Sequence, residues 1–321
     1  MLVDMELSVF AIEGTRDYGA RVARHLDQVL CEHEERGFED GEHKIRPLID
    51  VRRHDVFVIH SLYGDADQTP NDKLCRLLFF IGALKDAGAE RVTAVVPYLC
   101  YARKDRRTQP RDPITTKYVA ALFEACGVNA VMTLDVHNLA AFENAFRCHT
   151  TNLEAIPLFV DHFAQLLRHE RIAVVSPDIG GAKRAEQFRR ALSAKLDDEP
   201  TAAFVEKRRA GGVVTGELLV GDVRDRVAVI FDDLISTGGT LQRAARICRD
   251  SGATRIFAAA THGLFIGKAP ALLAEPVFQG IAITDTVRSV ADAESRLPRN
   301  IIHLDSSRLV ADAIIAAHSG R

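Results

Sequence analysis

The amino-acid sequence predicts an α/β protein of two domains, each built on a mainly parallel sheet flanked by helices. Short runs rich in β-branched residues alternate with longer runs of helical periodicity along the whole chain. The chain has 321 residues, 47% of them hydrophobic, which is enough for two domains with cores of their own. Two similar blocks of predicted strands flank residues 145–157, and the domain boundary is expected there.

Nine short apolar runs predict the strands of these sheets. Continuous apolar character, rather than alternation with polar residues, is typical of parallel strands that are buried on both faces. In chain order the runs are Leu7–Ile12, Val56–Ser61, Val92–Val96, Ala130–Leu134, Ile172–Ser176, Ala202–Val205, Val227–Phe231, Ile256–Thr261 and Val277–Ile283.

Runs with the period of a helix lie between the strands. From Asn71 to Ala87, leucine and isoleucine recur at positions i, i+3, i+4 and i+7, and Pro70 just before this run is a helix start signal. A second helical run, Leu241–Asp250, comes after the strand Val227–Phe231 and a glycine-rich turn.

Composition excludes several classes of protein. Lys and Arg total 41 against 44 Asp and Glu, a net charge of −3, so a protein that mainly coats nucleic acid or a membrane surface is excluded. No apolar run approaches the roughly 20 residues of a membrane span, and the first residues lack a basic signal-peptide region. The six cysteines have no paired spacing, so free thiols are expected. We expect a soluble cytoplasmic protein.

The strongest local motif follows the strand Val227–Phe231. The strand delivers Asp232 and Asp233 to the carboxyl edge of the sheet, where open α/β sheets bind ligands. The next residues combine hydroxyl groups with glycines and lead into a helix, an arrangement that suits a phosphate at the helix N-terminus. Helix capping by the same hydroxyl groups is the simpler alternative. The loop residues are Ser236, Thr237, Gly238, Gly239 and Thr240.

Two basic segments interrupt the alternation and are expected to be mobile loops. One spans residues 101–113 and contains Arg103, Lys104 and three further arginines. The other is Lys207–Gly212, where Lys207 and Arg209 alternate and would point two cations at one group of oxygens. Each segment alone also fits a solvated basic surface.

Three further positions carry candidate chemistry. His137 follows the strand Ala130–Leu134, and Asp178 lies in the turn after Ile172–Ser176. Asp178 would share a sheet edge with Asp232 and Asp233, and such carboxylates beside an anionic substrate need a cation, so Mg²⁺ is expected. The third position is an aromatic and acidic segment that suits an adenine base, Phe38, Asp40, Gly41 and Glu42.

The motif at residues 232–240 resembles the phosphoribosyl-pyrophosphate motif of type I phosphoribosyltransferases. Six further segments occur in the order found in ribose-phosphate pyrophosphokinases, so the resemblance extends over nearly the whole chain. It implies two phosphoribosyltransferase-like domains, residues 1–148 with a C-terminal helix at about 305–321, and residues 149–304, with the active site between them. The segments are residues 38–42, 96–107, 111–117, 134–137, 175–181 and 206–209.

The resemblance also implies the reaction and the role of each residue. The family transfers the diphosphoryl group of ATP to the 1-hydroxyl of ribose 5-phosphate and releases AMP. It implies that Lys207 and Arg209 are catalytic, with Arg209 also touching the sugar phosphate, and that His137 and Asp178 hold the Mg²⁺ ion. ATP would be bound by His137 together with Phe38, Asp40, Gly41, Glu42, Arg103 and Lys104, and ribose 5-phosphate by Asp232, Asp233, Ser236, Thr237, Gly238, Gly239 and Thr240.

The family further implies a homo-oligomer built from dimers, with a hexamer among the expected forms. This chain departs from the common pattern at Lys104, where glutamine is usual, and at Ser236, where many members have an acid. Two alternatives stay open, a phosphoribosyltransferase and a non-catalytic regulatory homologue of the synthetase. A Walker-type kinase is rejected, because residues 263–268 are one residue short of that motif and Ala269 replaces its Ser or Thr.

Overall fold

The computed structural model describes residues 5–210, 213–288 and 296–320, leaving aside the side chains of residues 207–210 and 213–217. The chain divides into two compact units. Unit 1 comprises Met1–Leu153 and Ser306–Arg321, and unit 2 comprises Glu154–Asp305. In the part of the chain described here, no helix has the length and apolar character for crossing a membrane.

Unit 1 contains a five-stranded parallel sheet and a separate two-stranded hairpin. The sheet has the strand order β1-β4-β5-β6-β7, and β2 pairs only with β3. The elements are β1 (Leu7–Ala11), α1 (Arg16–His25), β2 (His33–Gly37), β3 (His43–Pro47), β4 (Asp55–Ile59), α2 (Pro70–Asp86), β5 (Arg91–Val96), α3 (Thr115–Ala125), β6 (Ala130–Leu134), α4 (Leu139–Ala145) and β7 (His149–Leu153).

Both faces of this sheet are buried, because successive side chains of a strand point to opposite faces. In β4, Val56 and Val58 pack with the helices α2 and α3, whereas Phe57 and Ile59 belong to the core on the other face. That second face is covered by α1 and by a helix from the far end of the chain, α9 (Ser307–Ser319) in the numbering used below.

A buried ion pair attaches this last helix to unit 1. The Asp55 side chain is fully buried at the start of β4, and Arg91 Nε donates to its Oδ1 at 2.7 Å. Arg91 Nη2 also donates to the Ala317 carbonyl at 2.8 Å, and His318 Nδ1 lies 2.8 Å from Asp55 Oδ2. These contacts join the first residues of two strands to the end of α9.

In the described part of unit 2, seven strands form one sheet of order β10-β9-β8-β11-β12-β13-β14, in which β9 and β10 pair antiparallel and the other pairs are parallel. Helices cover both faces, and Phe188 stacks on Phe231 at 4.4 Å between ring centroids. The elements are α5 (Ile156–Leu166), β8 (Ile172–Ser176), α6 (Ala182–Ser193), β9 (Thr201–Ala210), β10 (Val213–Gly221), β11 (Val227–Ile235), α7 (Gly239–Asp250), β12 (Arg255–Gly263), α8 (Ala269–Leu273), β13 (Gly280–Thr284) and β14 (Ile301–Leu304).

The predicted α/β class with mainly parallel sheets is confirmed, and all nine predicted strands are present, two with the predicted ends (Ala130–Leu134 and Ile172–Ser176) and seven with shifted ends. Five strands were missed, namely β2, β3, β7, β10 and β14. Each lies in the hairpin or at a sheet edge, where solvent removes the need for a continuous apolar run. The prediction of a loop beginning at Lys207 was wrong, because β9 continues to Ala210 by pairing with β10.

Candidate functional site

The two adjacent acids of unit 2 lie within β11, past the end of its neighbour β8. β11 pairs with β12 as far as Ile235, opposite Gly263, but with β8 only as far as Ile230, opposite Val175. Asp232 and Asp233 therefore follow the last paired residue on one side of the strand while the other side stays hydrogen-bonded. This places the acids at the carboxyl end of the sheet, as predicted.

The acids repel each other's charge. Burial raises the pKa of the Asp232 carboxyl well above its ordinary value, and the neighbouring Asp233 charge raises it further. The Asp233 backbone N–H donates to Asp232 Oδ1 at 2.9 Å and only partly offsets this effect. A cation beside the pair would stabilise the charged form of Asp232.

Arg184 supplies one such cation from the first turn of α6. Its Nη1 donates to Asp233 Oδ1 at 3.0 Å and lies 3.5 Å from Asp232 Oδ1. The Arg184 side chain is 19% exposed. This residue was missed from the sequence, although Lys183 and Arg184 at a helix N-terminus oppose the helix dipole and so indicate an anion nearby.

The turn after β8 brings Asp178 close to these acids. Ser176 Oγ donates to the Asp178 carbonyl at 2.6 Å, and the Gly181 N–H donates to Asp178 Oδ1 at 3.1 Å. A Cβ atom on Gly181 would lie 2.8 Å from Ser176 Oγ and 3.7 Å from Asp232 Oδ1. Glycine at position 181 is therefore required by the close approach of Ser176 Oγ, whereas the Asp232 carboxylate lies at an ordinary contact distance.

The loop after β11 leaves the N-terminus of α7 without a side-chain cap. The capping position is Gly238, whose φ of 78° is left-handed, and no side chain caps the helix there. No acid occupies the first turn of α7. The Ser236 carbonyl accepts from Ile266 N–H at 2.9 Å, while Thr237 is exposed and Gly239 and Thr240 are half-buried. Among the described residues, the loop hydroxyl groups therefore do not cap α7, in contrast to the simpler alternative considered from the sequence. The N–H groups of the helix end are available to an anion.

The positions of Lys207 and Arg209 are described for the backbone only. Lys207 pairs with Glu217 and Arg209 with Val214 in the β9–β10 ladder. Their side chains lie outside the described part of the structure, as do all atoms of residues 211 and 212.

In unit 1 the basic segment follows β5 and is fixed at its base. The buried Thr116 donates from Oγ1 to the carbonyls of Tyr101 and Lys104, at 3.0 and 3.2 Å. Arg103 is exposed. The segment thus leaves the sheet edge through an anchored turn and presents Arg103 to solvent.

Lys104 is engaged within the segment. Its Nζ donates to Asp112 Oδ2 at 2.6 Å and to Thr108 Oγ1 at 3.3 Å. The same Asp112 oxygen accepts from the backbone N–H groups of Thr108 and Gln109, at 2.9 and 3.0 Å. Hydrogen bonds from Lys104 and Thr108 hold the pKa of Asp112 far below its ordinary value. The ion pair closes residues 104–112 into a compact loop.

A hydrogen bond joins this loop to the neighbourhood of His137. Asn138 Nδ2 donates to Asp105 Oδ2 at 2.5 Å, and Asn138 also caps α4 by accepting from the Ala141 N–H. His137 is exposed after β6, on a bend in which Asp135 has a φ of 37°. His137 and Arg103 are therefore on connected loops of unit 1.

Phe38, Asp40, Gly41 and Glu42 form the turn of the β2–β3 hairpin. Phe38 N–H donates to the Glu42 carbonyl at 2.8 Å, and Glu42 N–H donates to Asp40 Oδ1 at 3.0 Å. The Phe38 ring is 39% exposed, with the Arg36 guanidinium 5.2 Å from its centroid. The turn is ordered by its own hydrogen bonds, and it presents an aromatic ring and acids to solvent.

The residues also set limits on a metal site. Among the described side chains, no group of three or more His, Cys, Asp or Glu residues could hold an ion alone. Asp178, Asp232 and Asp233 offer oxygen donors near one another, whereas His137 belongs to unit 1. Such a set fits a hard divalent cation that keeps water ligands and shares substrate phosphates.

Two family models and the curated relatives of this chain all indicate the same protein family. A family model described as the N-terminal domain of ribose phosphate pyrophosphokinase matches residues 7–127, and one described as the phosphoribosyl synthetase-associated domain matches residues 206–321. The ribose-phosphate pyrophosphokinase of Hyphomonas neptunium is 36% identical over 308 residues, covering 96% of this chain and 95% of the relative. That of Rhodopirellula baltica is 36% identical over 316 residues, covering 98% and 96%.

A solved structure agrees with these matches. The crystal structure of phosphoribosylpyrophosphate synthetase from Mycobacterium smegmatis is similar to this fold with a TM-score of 0.88 and 30% sequence identity. The similarity covers 98% of this chain and 100% of that one.

Proposed function

Because the chain belongs to the ribose-phosphate pyrophosphokinase family, we propose that it transfers the diphosphoryl group of ATP to the 1-hydroxyl of ribose 5-phosphate. The products are phosphoribosyl pyrophosphate and AMP. The observation that carries this proposal is a relationship extending over almost the full length of both chains. A phosphoribosyltransferase would leave the basic segment and the hairpin of unit 1 without a function.

Unit 2 binds ribose 5-phosphate. The 5-phosphate occupies the uncapped N-terminus of α7, where it accepts hydrogen bonds from the backbone N–H groups of residues 238–240 and from the hydroxyl groups of Ser236, Thr237 and Thr240. Asp232 and Asp233 accept hydrogen bonds from ribose hydroxyl groups, and Arg184 holds Asp233 in place. The acids thereby orient the sugar, which raises the effective concentration of its 1-hydroxyl at the reacting phosphorus.

Unit 1 binds ATP. Arg103 is an exposed cation of the basic segment, and Lys104 reaches phosphate by exchanging Asp112 for a phosphate oxygen. The exposed Phe38 ring contacts the adenine base, and Asp40 and Glu42 are placed for its amino group. His137 lies at the end of the neighbouring strand β6, within the ATP site.

Charge compensation is the central task of the site. Transfer of a phosphoryl group builds negative charge on oxygen, so fixed cations contribute more than covalent chemistry. Lys207 and Arg209 are the catalytic cations of this proposal, on the strand end of β9. Asp178 and His137 are the residues that would hold Mg²⁺ in this proposal, and the ion would supply positive charge that neutralises the polyphosphate.

The chain acts as a homo-oligomer in this proposal. Light scattering coupled to gel filtration checks it, and a mass of one chain at micromolar concentration would contradict it.

The proposed reaction is tested by mixing the purified protein with ATP, ribose 5-phosphate and Mg²⁺ and following products by ³¹P NMR. AMP and phosphoribosyl pyrophosphate should form in equal amounts. Lys207→Ala should lower kcat by roughly two to three orders of magnitude with an unchanged circular dichroism spectrum, as expected for a charge that acts in the transition state. A folded protein that binds both ligands and forms no AMP would support the non-catalytic alternative.

A further inference from the structure

Among the residues that the structure describes, the β2–β3 hairpin, which carries the Phe38–Glu42 turn, has no hydrogen-bonded strand partner in the main sheet. β2 pairs only with β3, from His33 opposite Pro47 to Gly37 opposite His43. An isolated two-stranded hairpin is only marginally stable in water. Contacts with other elements fix its position on unit 1, among them the bond from Cys31 N–H to the Val9 carbonyl at 2.8 Å, the buried Ile45 side chain and the contacts of Glu35.

One carboxylate collects contacts from three different elements. Glu35 Oε1 accepts from His33 Nε2 and from the Glu13 backbone N–H, each at 2.8 Å, and Glu35 Oε2 accepts from Arg76 Nη1 at 2.9 Å. His33 belongs to the same strand, Glu13 to the loop after β1, and Arg76 to α2. Glu35 thus ties the hairpin to both the sheet edge and the helix.

This junction is well shielded from solvent. The side chains of His33, Glu35 and Arg76 are 2%, 13% and 15% exposed. Burial opposes ionisation of Glu35, but hydrogen bonds from His33, the Glu13 amide and Arg76 outweigh it and lower the pKa of Glu35 to about 2. Glu35 is therefore a carboxylate at neutral pH.

The turn and the junction can be perturbed separately. Residues 38–42 keep their own hydrogen bonds, Phe38 N–H to Glu42 carbonyl and Gly41 N–H to Phe38 carbonyl at 3.1 Å, and none of these involves Glu35. Removing the Glu35 charge should therefore leave the turn formed and weaken its attachment to α2 and to the loop after β1. A loosened turn has to be ordered when a ligand binds, which weakens binding.

We propose that Glu35 is a positioning residue for the nucleotide: it fixes the hairpin on α2 and on the loop after β1, so that the Phe38–Glu42 turn meets the adenine base in one place. This inference rests on the proposed function and adds a residue outside the turn itself. The proposal assigns ribose 5-phosphate to unit 2, so a change at Glu35 should not alter the binding of ribose 5-phosphate.

The test compares Glu35→Gln with Glu34→Gln. Glu34 is the neighbouring residue of the same strand, and its partners, Arg46 and Lys44, both lie within the hairpin. Glu35→Gln should raise KM for ATP about tenfold or more, with kcat and KM for ribose 5-phosphate changed less than about threefold. Glu34→Gln should leave all three constants unchanged. An unchanged KM for ATP in Glu35→Gln, or equal increases for both substrates, would overturn the proposal.

A second variant keeps the test valid if Glu35→Gln fails to fold. Arg76→Gln removes the α2 contact and should also raise KM for ATP selectively. In the double variant, the loss of ATP binding free energy should be smaller than the sum of the losses in the two single variants, because both changes break the same junction. Full additivity of two large effects would show that Glu35 and Arg76 act separately and would overturn the shared role.

Direct calorimetry of ATP binding distinguishes this proposal from the proposed function. If the wild-type protein binds ATP but forms no AMP, the proposed function fails, and weaker ATP binding by Glu35→Gln still supports the positioning role. If ATP binds equally to both proteins, the positioning role fails whatever the turnover. A wild-type protein that binds no ATP would refute both.

Discussion

Asp232→Asn provides the sharpest test of how unit 2 binds its sugar. The substitution keeps the shape of the side chain and removes its charge. The Asp232 side chain is 22% exposed, past the last residue of β11 that pairs with β8. Asp233 keeps its contact with Arg184 at 3.0 Å, so the fold of the strand end should survive.

The size of the effect follows from the bond that is lost. A hydrogen bond to a charged group contributes about 1.5–3 kcal/mol, and about 1.4 kcal/mol corresponds to a tenfold change in affinity. Asp232→Asn removes the hydrogen bond between a ribose hydroxyl group and a charged carboxylate. This loss should therefore weaken ribose 5-phosphate binding about 10- to 100-fold. Binding of ATP should change less than about twofold, because it uses unit 1.

The pH dependence gives the prediction a second, independent part. Because the pKa of Asp232 is raised, the free wild-type protein carries a protonated carboxyl below that pKa, and this form resembles the amide. The difference between wild type and variant should grow as pH rises through the raised pKa. The unfolding free energy of the wild type should fall over the same range, since the folded state holds this proton more tightly than the unfolded state.

Titration calorimetry with ribose 5-phosphate and Mg²⁺ from acid to neutral pH measures both parts. Asp250→Asn is a matched control, because Asp250 is exposed at the opposite end of α7. Equal losses of affinity for both ligands, or a loss independent of pH, would refute the assignment of Asp232 to the sugar.

Three further predictions concern other parts of the molecule. Asp112→Asn should lower KM for ATP about two- to tenfold at low salt, because it frees Lys104 and removes a negative charge near phosphate; a higher KM would assign Asp112 to loop order instead. Arg91→Met should lower the urea-measured unfolding free energy by about 3 kcal/mol, since it leaves Asp55 buried without its guanidinium, and adding Asp55→Asn should recover most of the loss. Gly238→Ala should cost about 1 kcal/mol in the same assay and weaken ribose 5-phosphate binding, because its φ of 78° is unfavourable while its neighbours are at ordinary distances of 3.5 Å or more.

The central strands and the acid pair could be predicted because their cause is local. A strand that is buried on both faces needs an unbroken apolar run, and β8 and β11 have one. Functional side chains at the carboxyl end of such a strand lie at the sheet edge whatever the strand order is. Asp232 and Asp178 could therefore be predicted without knowledge of the strand order.

The contacts that hold these residues could not be predicted because their cause is distant in sequence. Arg184 and Asp233 are separated by 49 residues, and Glu35 and Arg76 by 41. Nothing in the strand His33–Gly37 reveals that the Glu35 side chain is only 13% exposed and that of Glu34 33%, because this depends on where α2 is placed. Polar strands such as β2 and β3 gain their structure from those contacts and leave no apolar pattern.

The return of α9 to unit 1 has a consequence for synthesis of the chain on the ribosome. Val310 and Ile314 complete one face of the unit 1 core, yet they are translated after all of Glu154–Asp305. At about 5–20 residues per second, the first unit therefore waits roughly 10–30 s for its last helix. Unit 2, which is continuous in sequence, can finish folding before its predecessor, and the exposed face of the unit 1 sheet is the part of the nascent protein that chaperones would need to cover.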